Sequence, residues 1–83
     1  MSTNLYVGNL AFSTTTSDLE AAFAAHGEVT DAQVIADRDT GRSRGFGFVE
    51  MASADAAQEA IRALDGKDLD GRSIKVNVAK PRS

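Results

Sequence analysis

The chain has 83 residues, 42% of them apolar, 25% charged and 6% aromatic, with a net charge of −3 and no cysteine or tryptophan. That is enough for one small domain, and the ordinary composition excludes collagenous, low-complexity and strongly disordered classes. The lack of cysteine excludes a disulfide framework, a thiolate nucleophile and a Cys-based zinc site.

Asn4 to Asn9 reads as a strand, with Leu5 and Val7 alternating against Asn4, Tyr6 and Gly8. The polar run Ser13–Ser17 leads into DLEAAFAAH, where Leu19, Ala22 and Phe23 recur at helical spacing and Ser17 with Glu20 fits a capping box. Gly27 is expected to end this helix in a left-handed backbone. A second strand is predicted over Val29–Ala36, with Ala32, Val34 and Ala36 on one side and Gln33 and Ile35 on the other. Asp37 to Gly41 is a turn, and Arg44 to Met51 a third strand. Ser53 is placed to cap a second helix whose Ala57, Ala60, Ile61 and Leu64 share a face, with Gly66 closing it. Asp70-Gly71 turns into a last strand, Ser73 to Ala79, with Ile74, Val76 and Val78 on one side. The order is βαββαβ, an α+β sandwich of two helices on one four-stranded antiparallel sheet.

Charge is uneven along this order. Residues 1–35 hold acids (Asp18, Glu20, Glu28, Asp31) and no base, whereas residues 72–83 hold bases (Arg72, Lys75, Lys80, Arg82) and no acid. Arg38, Arg42 and Arg44 surround the predicted turn beside Asp37 and Asp39. A domain acidic in total can therefore still present a basic face to phosphates. The opening MSTNLYVGNL has no basic flank or long apolar run, so no signal peptide is expected. No stretch approaches the roughly 20 apolar residues of a membrane span. The expected location is intracellular: the cytoplasm for a bacterial owner, with the nucleus or an organelle open for a eukaryotic one.

The third strand decides which face of the sheet is wet. Arg44, Phe46, Phe48 and Glu50 share one face; Gly45, Gly47, Val49 and Met51 share the other. Both phenylalanines would be core residues in a lone strand, but the charges bracketing them are costly to bury. The opposite face offers Val49 and Met51 to the core, with Gly45 and Gly47 giving room for a helix to approach. Tyr6 shares its face with Asn4, and Lys75 with Asn77, while Leu5, Val7, Ile74, Val76 and Val78 point the other way. Three aromatics then stand on a polar, exposed surface, which implies a ligand. Flat rings flanked by bases suit single-stranded nucleic acid, with rings stacking on bases and Arg or Lys pairing with phosphates.

At these residues the chain resembles the RNA-recognition motif (RRM) family. Arg44-Gly45-Phe46-Gly47-Phe48-Val49-Glu50-Met51 matches the octamer K/R-G-F/Y-G/A-F-V-x-F/Y at seven of eight positions. Leu5 to Leu10 matches the companion motif of the first strand, and the likeness runs over residues 3–80, leaving 81–83 as a short basic tail. It is similar to bacterial single-RRM proteins and to the RRM of plant glycine-rich RNA-binding proteins. The resemblance implies a ferredoxin-like sandwich that binds single-stranded RNA. Tyr6 and Phe48 would each stack on a base, Phe46 would pack against sugars, and Arg44 would pair with a phosphate. It further implies contacts to base edges from Lys75, Asn77, Ala79 and Lys80 on and after the last strand. Asn4 and Gln33 add polar groups to the same face, and Arg42 and Ser43 would touch the backbone. Met51 departs from the family's Phe or Tyr at a core-facing position, which concerns packing.

Two other function classes compete. An enzyme of the same element order needs a catalytic set, yet His26 is the single histidine and no G-x-x-x-x-G-K-[ST] or G-x-G-x-x-G loop is present. Neither catalysis, a cofactor, a metal nor a small-molecule substrate is expected. An RRM-like protein-interaction module is the alternative, although the three sheet aromatics it would dispense with are all retained. The expected partner is single-stranded RNA, or single-stranded DNA of the same chemistry, bound by a monomer.

Overall fold

The computed structural model describes residues 3–79. Its elements follow in order as β1 (Asn4–Gly8), α1 (Thr16–Ala24), β2 (Val29–Ala36), β3 (Ser43–Met51), α2 (Ala54–Leu64), β4 (Asp68–Leu69), β5 (Arg72–Ser73) and β6 (Lys75–Val78). Strands β2-β3-β1-β6 form one antiparallel sheet in that order, and β4 pairs with β5 in a separate hairpin. The four main strands and two helices keep the expected βαββαβ order.

Alternation builds the core from one face of the sheet. Leu5 and Val7 from β1, Val49 and Met51 from β3, and Val76 from β6 are buried there, with Ile74 just before β6. The helices cover them with Leu19 and Phe23 from α1 and Ala57, Ala60 and Leu64 from α2, while Ile61 packs at the margin. Small alanines on α2 let that helix lie close to the sheet. No helix among the described residues is long and apolar enough to cross a membrane.

The helix ends show where local patterns were ambiguous. Ser53 caps α2 as expected, its hydroxyl accepting from the Ala56 N–H at 3.1 Å. The capping box of α1 is made by Thr15 and Asp18, not by Ser17 and Glu20: the Asp18 N–H donates to Thr15 Oγ1 at 3.2 Å and the Thr15 N–H to Asp18 Oδ2 at 3.1 Å. The run of hydroxyl residues offers two such pairs, each with a carboxylate three positions on, and the helix starts at Thr16, which makes Thr15 the cap. Gly27 lies beyond the end of α1 at Ala24, and its role is close approach: a Cβ there would stand 2.6 Å from the Ala56 methyl of α2.

Three further expectations are corrected. The last strand does not run unbroken from Ser73 to Ala79; Asp70 and Gly71, with φ of 53° and 86°, turn the β4–β5 hairpin, and the chain enters β6 only at Lys75. Two consecutive positive-φ residues favour such a tight hairpin. Gly47 makes room for a strand, not a helix, since a Cβ there would meet the Gln33 carbonyl oxygen of β2 at 2.5 Å. Gly45 lies instead by the Leu10 carbonyl and the Phe12 ring, and its own carbonyl accepts from the Leu10 N–H at 2.8 Å. Val78 and Ala36, expected on the aliphatic face, are exposed. Val78 ends an edge strand, and a register irregularity between Val34 and Ala36 interrupts the alternation of β2.

Candidate nucleic-acid interface

The pairing register assembles the other face of the sheet into rows across the strands. In the central row Asn77 of β6, Tyr6 of β1, Phe48 of β3 and Gln33 of β2 lie side by side, two rings between two amides. Toward one end Lys75 pairs with Gly8, and Gly8 with Phe46; toward the other Asn4 pairs with Glu50, and Glu50 with Asp31. Both helices lie on the opposite side, so no helix among the described residues covers these rows.

The three rings meet at the centre. Tyr6 lies 5.9 Å from both Phe46 and Phe48 between ring centroids, and Phe46 and Phe48 are 6.1 Å apart with planes at 89°. Edge-on and tilted contacts of this kind hold the rings in fixed attitudes while leaving faces open. Tyr6 and Phe48 are 37% and 40% exposed, and Phe46 is half-buried between its neighbours. Gly8 helps set this arrangement, because a Cβ there would press against the Tyr6 ring at 3.0 Å. Its place two residues after an exposed tyrosine on the same face is the sequence signal for that role.

The polar residues fall around the rings as parity requires. Asn4, Gln33, Arg44, Lys75 and Asn77 are all exposed, and Ala79 is half-buried beside β1, its N–H donating to the Asn4 carbonyl at 2.8 Å. Arg42 is exposed in the β2–β3 loop, whose turn is held by the Asp37 carboxylate accepting from the Asp39 N–H at 2.8 Å. Ser43 opens β3 half-buried, its hydroxyl accepting from the Gly45 N–H at 3.1 Å. Lys80, and with it the tail, lies outside the described residues.

Two features escape the sequence reading. Asp31 joins Glu50 at the acidic end, where Thr30 Oγ1 donates to Glu50 Oε1 at 2.7 Å; parity from Gln33 marks Asp31 for this face. Phe12, 74% exposed in the loop after β1, carries no periodic signal because it belongs to no strand or helix.

An α+β sandwich with both helices behind the sheet and a cluster of rings on its bare face is the architecture of the open-sheet modules that stack nucleobases. The chain belongs to the RNA recognition motif family, whose model matches residues 5–75. It is 57% identical over 83 residues to glycine-rich RNA-binding protein 4, mitochondrial, of Arabidopsis thaliana, covering all of this chain and 61% of that one. It is 54% identical over 79 residues to the putative RNA-binding protein RbpE of a Nostoc species, covering 95% of this chain and 80% of the other. Against the 28 kDa chloroplastic ribonucleoprotein of Spinacia oleracea, at 56% identity over 81 residues and 98% of this chain, it spans 35% of the relative's length. Among solved structures, RNA binding protein PG1 superposes with a TM-score of 0.92 at 46% identity over 99% of each chain. The protein of a Sxl-lethal protein/RNA complex superposes with a TM-score of 0.93 at 34% identity, over all of this chain and 50% of that one.

Proposed function

We propose that this domain binds single-stranded RNA on the open face of its sheet, as a monomer and without catalysis. The observation that carries the reading is the central row, in which Tyr6 and Phe48 offer exposed ring faces between Asn77 and Gln33. A base stacks on each ring, Phe46 packs against the intervening sugars, and Arg44 and Lys75 pair with phosphates. Arg42 and Ser43 lie along the backbone path, and Asn4, Gln33, Asn77, Ala79 and Lys80 complete the contacts to bases. RRM relatives named as RNA-binding proteins, and a structural neighbour solved with RNA, support this assignment. We place the module at residues 3–80, with 81–83 as a short basic tail. Relatives named mitochondrial and chloroplastic support an organelle as its home, and the cytoplasm is the location for a bacterial owner.

The test is the triple variant Tyr6→Ala, Phe46→Ala, Phe48→Ala, compared with wild type by fluorescence anisotropy on a labelled pool of short single-stranded RNAs. Loss of two stacking contacts, at roughly 1–3 kcal/mol each, lowers affinity by at least about 30-fold. Circular dichroism is expected to show the variant folded. Undiminished binding by the variant would place the RNA elsewhere. Absence of binding by wild type at low salt would favour a protein partner instead. A parallel DNA pool measures the preference for RNA.

A further inference from the structure

We propose that the hollow beside Phe48 is a subsite for guanine, with the Asp31 and Glu50 carboxylates accepting hydrogen bonds from its Watson–Crick edge. This rests on the RNA-binding reading above and deepens it. The hollow has a volume of about 370 Å³ and opens on the bare face of the sheet. That lies at the low end of the roughly 300–1,000 Å³ typical of small-ligand pockets, which suits one planar base. Phe48 lines it and supplies a stacking surface; Asn4, Gln33, Asp31 and Glu50 surround that ring.

The chemistry of this rim is lopsided. An ionised carboxylate only accepts hydrogen bonds, and two of them stand next to each other across the β2–β3 pairing. The Asp31 carboxylate has no hydrogen-bond partner among the described residues. Glu50 is steadied through one oxygen only, by the 2.7 Å bond from Thr30 Oγ1, which leaves the other oxygen to a ligand. Adjacent acids repel a phosphate, so the hollow takes a base edge and the RNA backbone runs elsewhere.

Among the bases, guanine alone presents two adjacent donors, N1–H and the N2 amino group, which match the two oxygens of a carboxylate in a bidentate, charge-assisted pair. Adenine and cytosine each offer one amino group next to a ring acceptor, and uracil flanks its single N–H with two carbonyl acceptors that face the carboxylates unfavourably. Gln33, exposed in the neighbouring row, carries an amide donor suited to guanine O6.

The test measures affinity of the full chain for the RNA pentamers UUGUU, UUAUU, UUCUU and UUUUU, with inosine as a fifth central base. The guanine pentamer is expected to bind about tenfold more tightly than the uridine one. Inosine, which keeps N1–H and lacks the amino group, is expected between them. The double variant Asp31→Asn, Glu50→Gln changes two exposed side chains to isosteres. It binds the uridine pentamer more tightly for want of two negative charges but loses the charge-assisted bonds to guanine, so its guanine-to-uridine ratio falls to within about twofold. Equal binding of all pentamers by wild type, or an unchanged ratio in the double variant, overturns the subsite and leaves single-stranded RNA binding standing. Failure of wild type to bind any pentamer at low salt overturns both.

Discussion

Val49 and Met51 are 1% exposed, whereas Phe48, next to Val49 on the same strand, is 40% exposed. The two faces of β3 therefore use large apolar side chains to opposite ends. On the covered face such side chains leave water when α1 and α2 dock, which is where most of a small domain's stability arises. On the bare face the rings meet one another and Tyr6 and Phe48 stay exposed, so they contribute less to folding and keep faces for a ligand. Hydrophobicity alone does not tell the two apart. The company each residue keeps at period two does, with Arg44 and Glu50 marking the wet side and Val49 and Met51 the dry one.

The sharpest way to break this contrast is to truncate one phenylalanine from each face. Phe23 is fully buried under the sheet, so Phe23→Ala is expected to lower unfolding free energy by about 3–5 kcal/mol. Against a total of roughly 5–15 kcal/mol for a natural domain, that leaves a marginal fold. Phe48→Ala should cost only about 1 kcal/mol, the scale of the ring contacts it loses. Urea unfolding of both variants measures the difference. Equal losses would mean that the bare-face rings are part of the core after all.

Gly47 tests the boundary between the faces. Gly47→Ala drives a methyl group toward the backbone of β2, which has no flexible end to yield, so a loss of about 1–3 kcal/mol is expected. In urea unfolding, a stability equal to wild type would show that β2 can move away from β3 freely. The same substitution at Gly41, where a Cβ would meet nothing within 4 Å, separates crowding from the strain of its positive φ.

What could be read from the residues follows from how local each cause is. The faces of β1 and β3, and with them the placement of Tyr6, Phe46 and Phe48, depend on alternation within single strands and stand in the structure as the pattern predicts, whereas Ala36 and Val78 at strand ends do not. The neighbour of Gly47 depends on which strand lies alongside, and alternation within β3 carries no such information. The cap of α1 was undecidable by motif alone because Thr15–Asp18 and Ser17–Glu20 both fit, and only the folded geometry selects between them. The break before β6 arises from the Asp70-Gly71 hairpin, which pairs β4 with β5 and so takes Ser73 out of the main sheet. At the candidate site, Asp31 reaches the wet face by the same parity as Gln33, but its pairing with Glu50 needs the register between β2 and β3.

The smallest expected effect separates the two ends of the bare face. Arg44 and Lys75 stand toward the Phe46 end, while Asp31 and Glu50 stand at the other. A phosphate bound by a cation releases condensed counterions, and for single strands each such contact adds about 0.7 to the slope of log affinity against log salt. Arg44→Gln should therefore flatten that slope by about 0.7, a change resolved by anisotropy titrations over a range of potassium chloride concentrations. Glu50→Gln should not flatten the slope, because a carboxylate that meets a base edge displaces no cation from the RNA. An equal flattening by both variants would show that the backbone crosses the acidic end as well, and the division of the sheet into a phosphate-binding end and a base-reading end would fall.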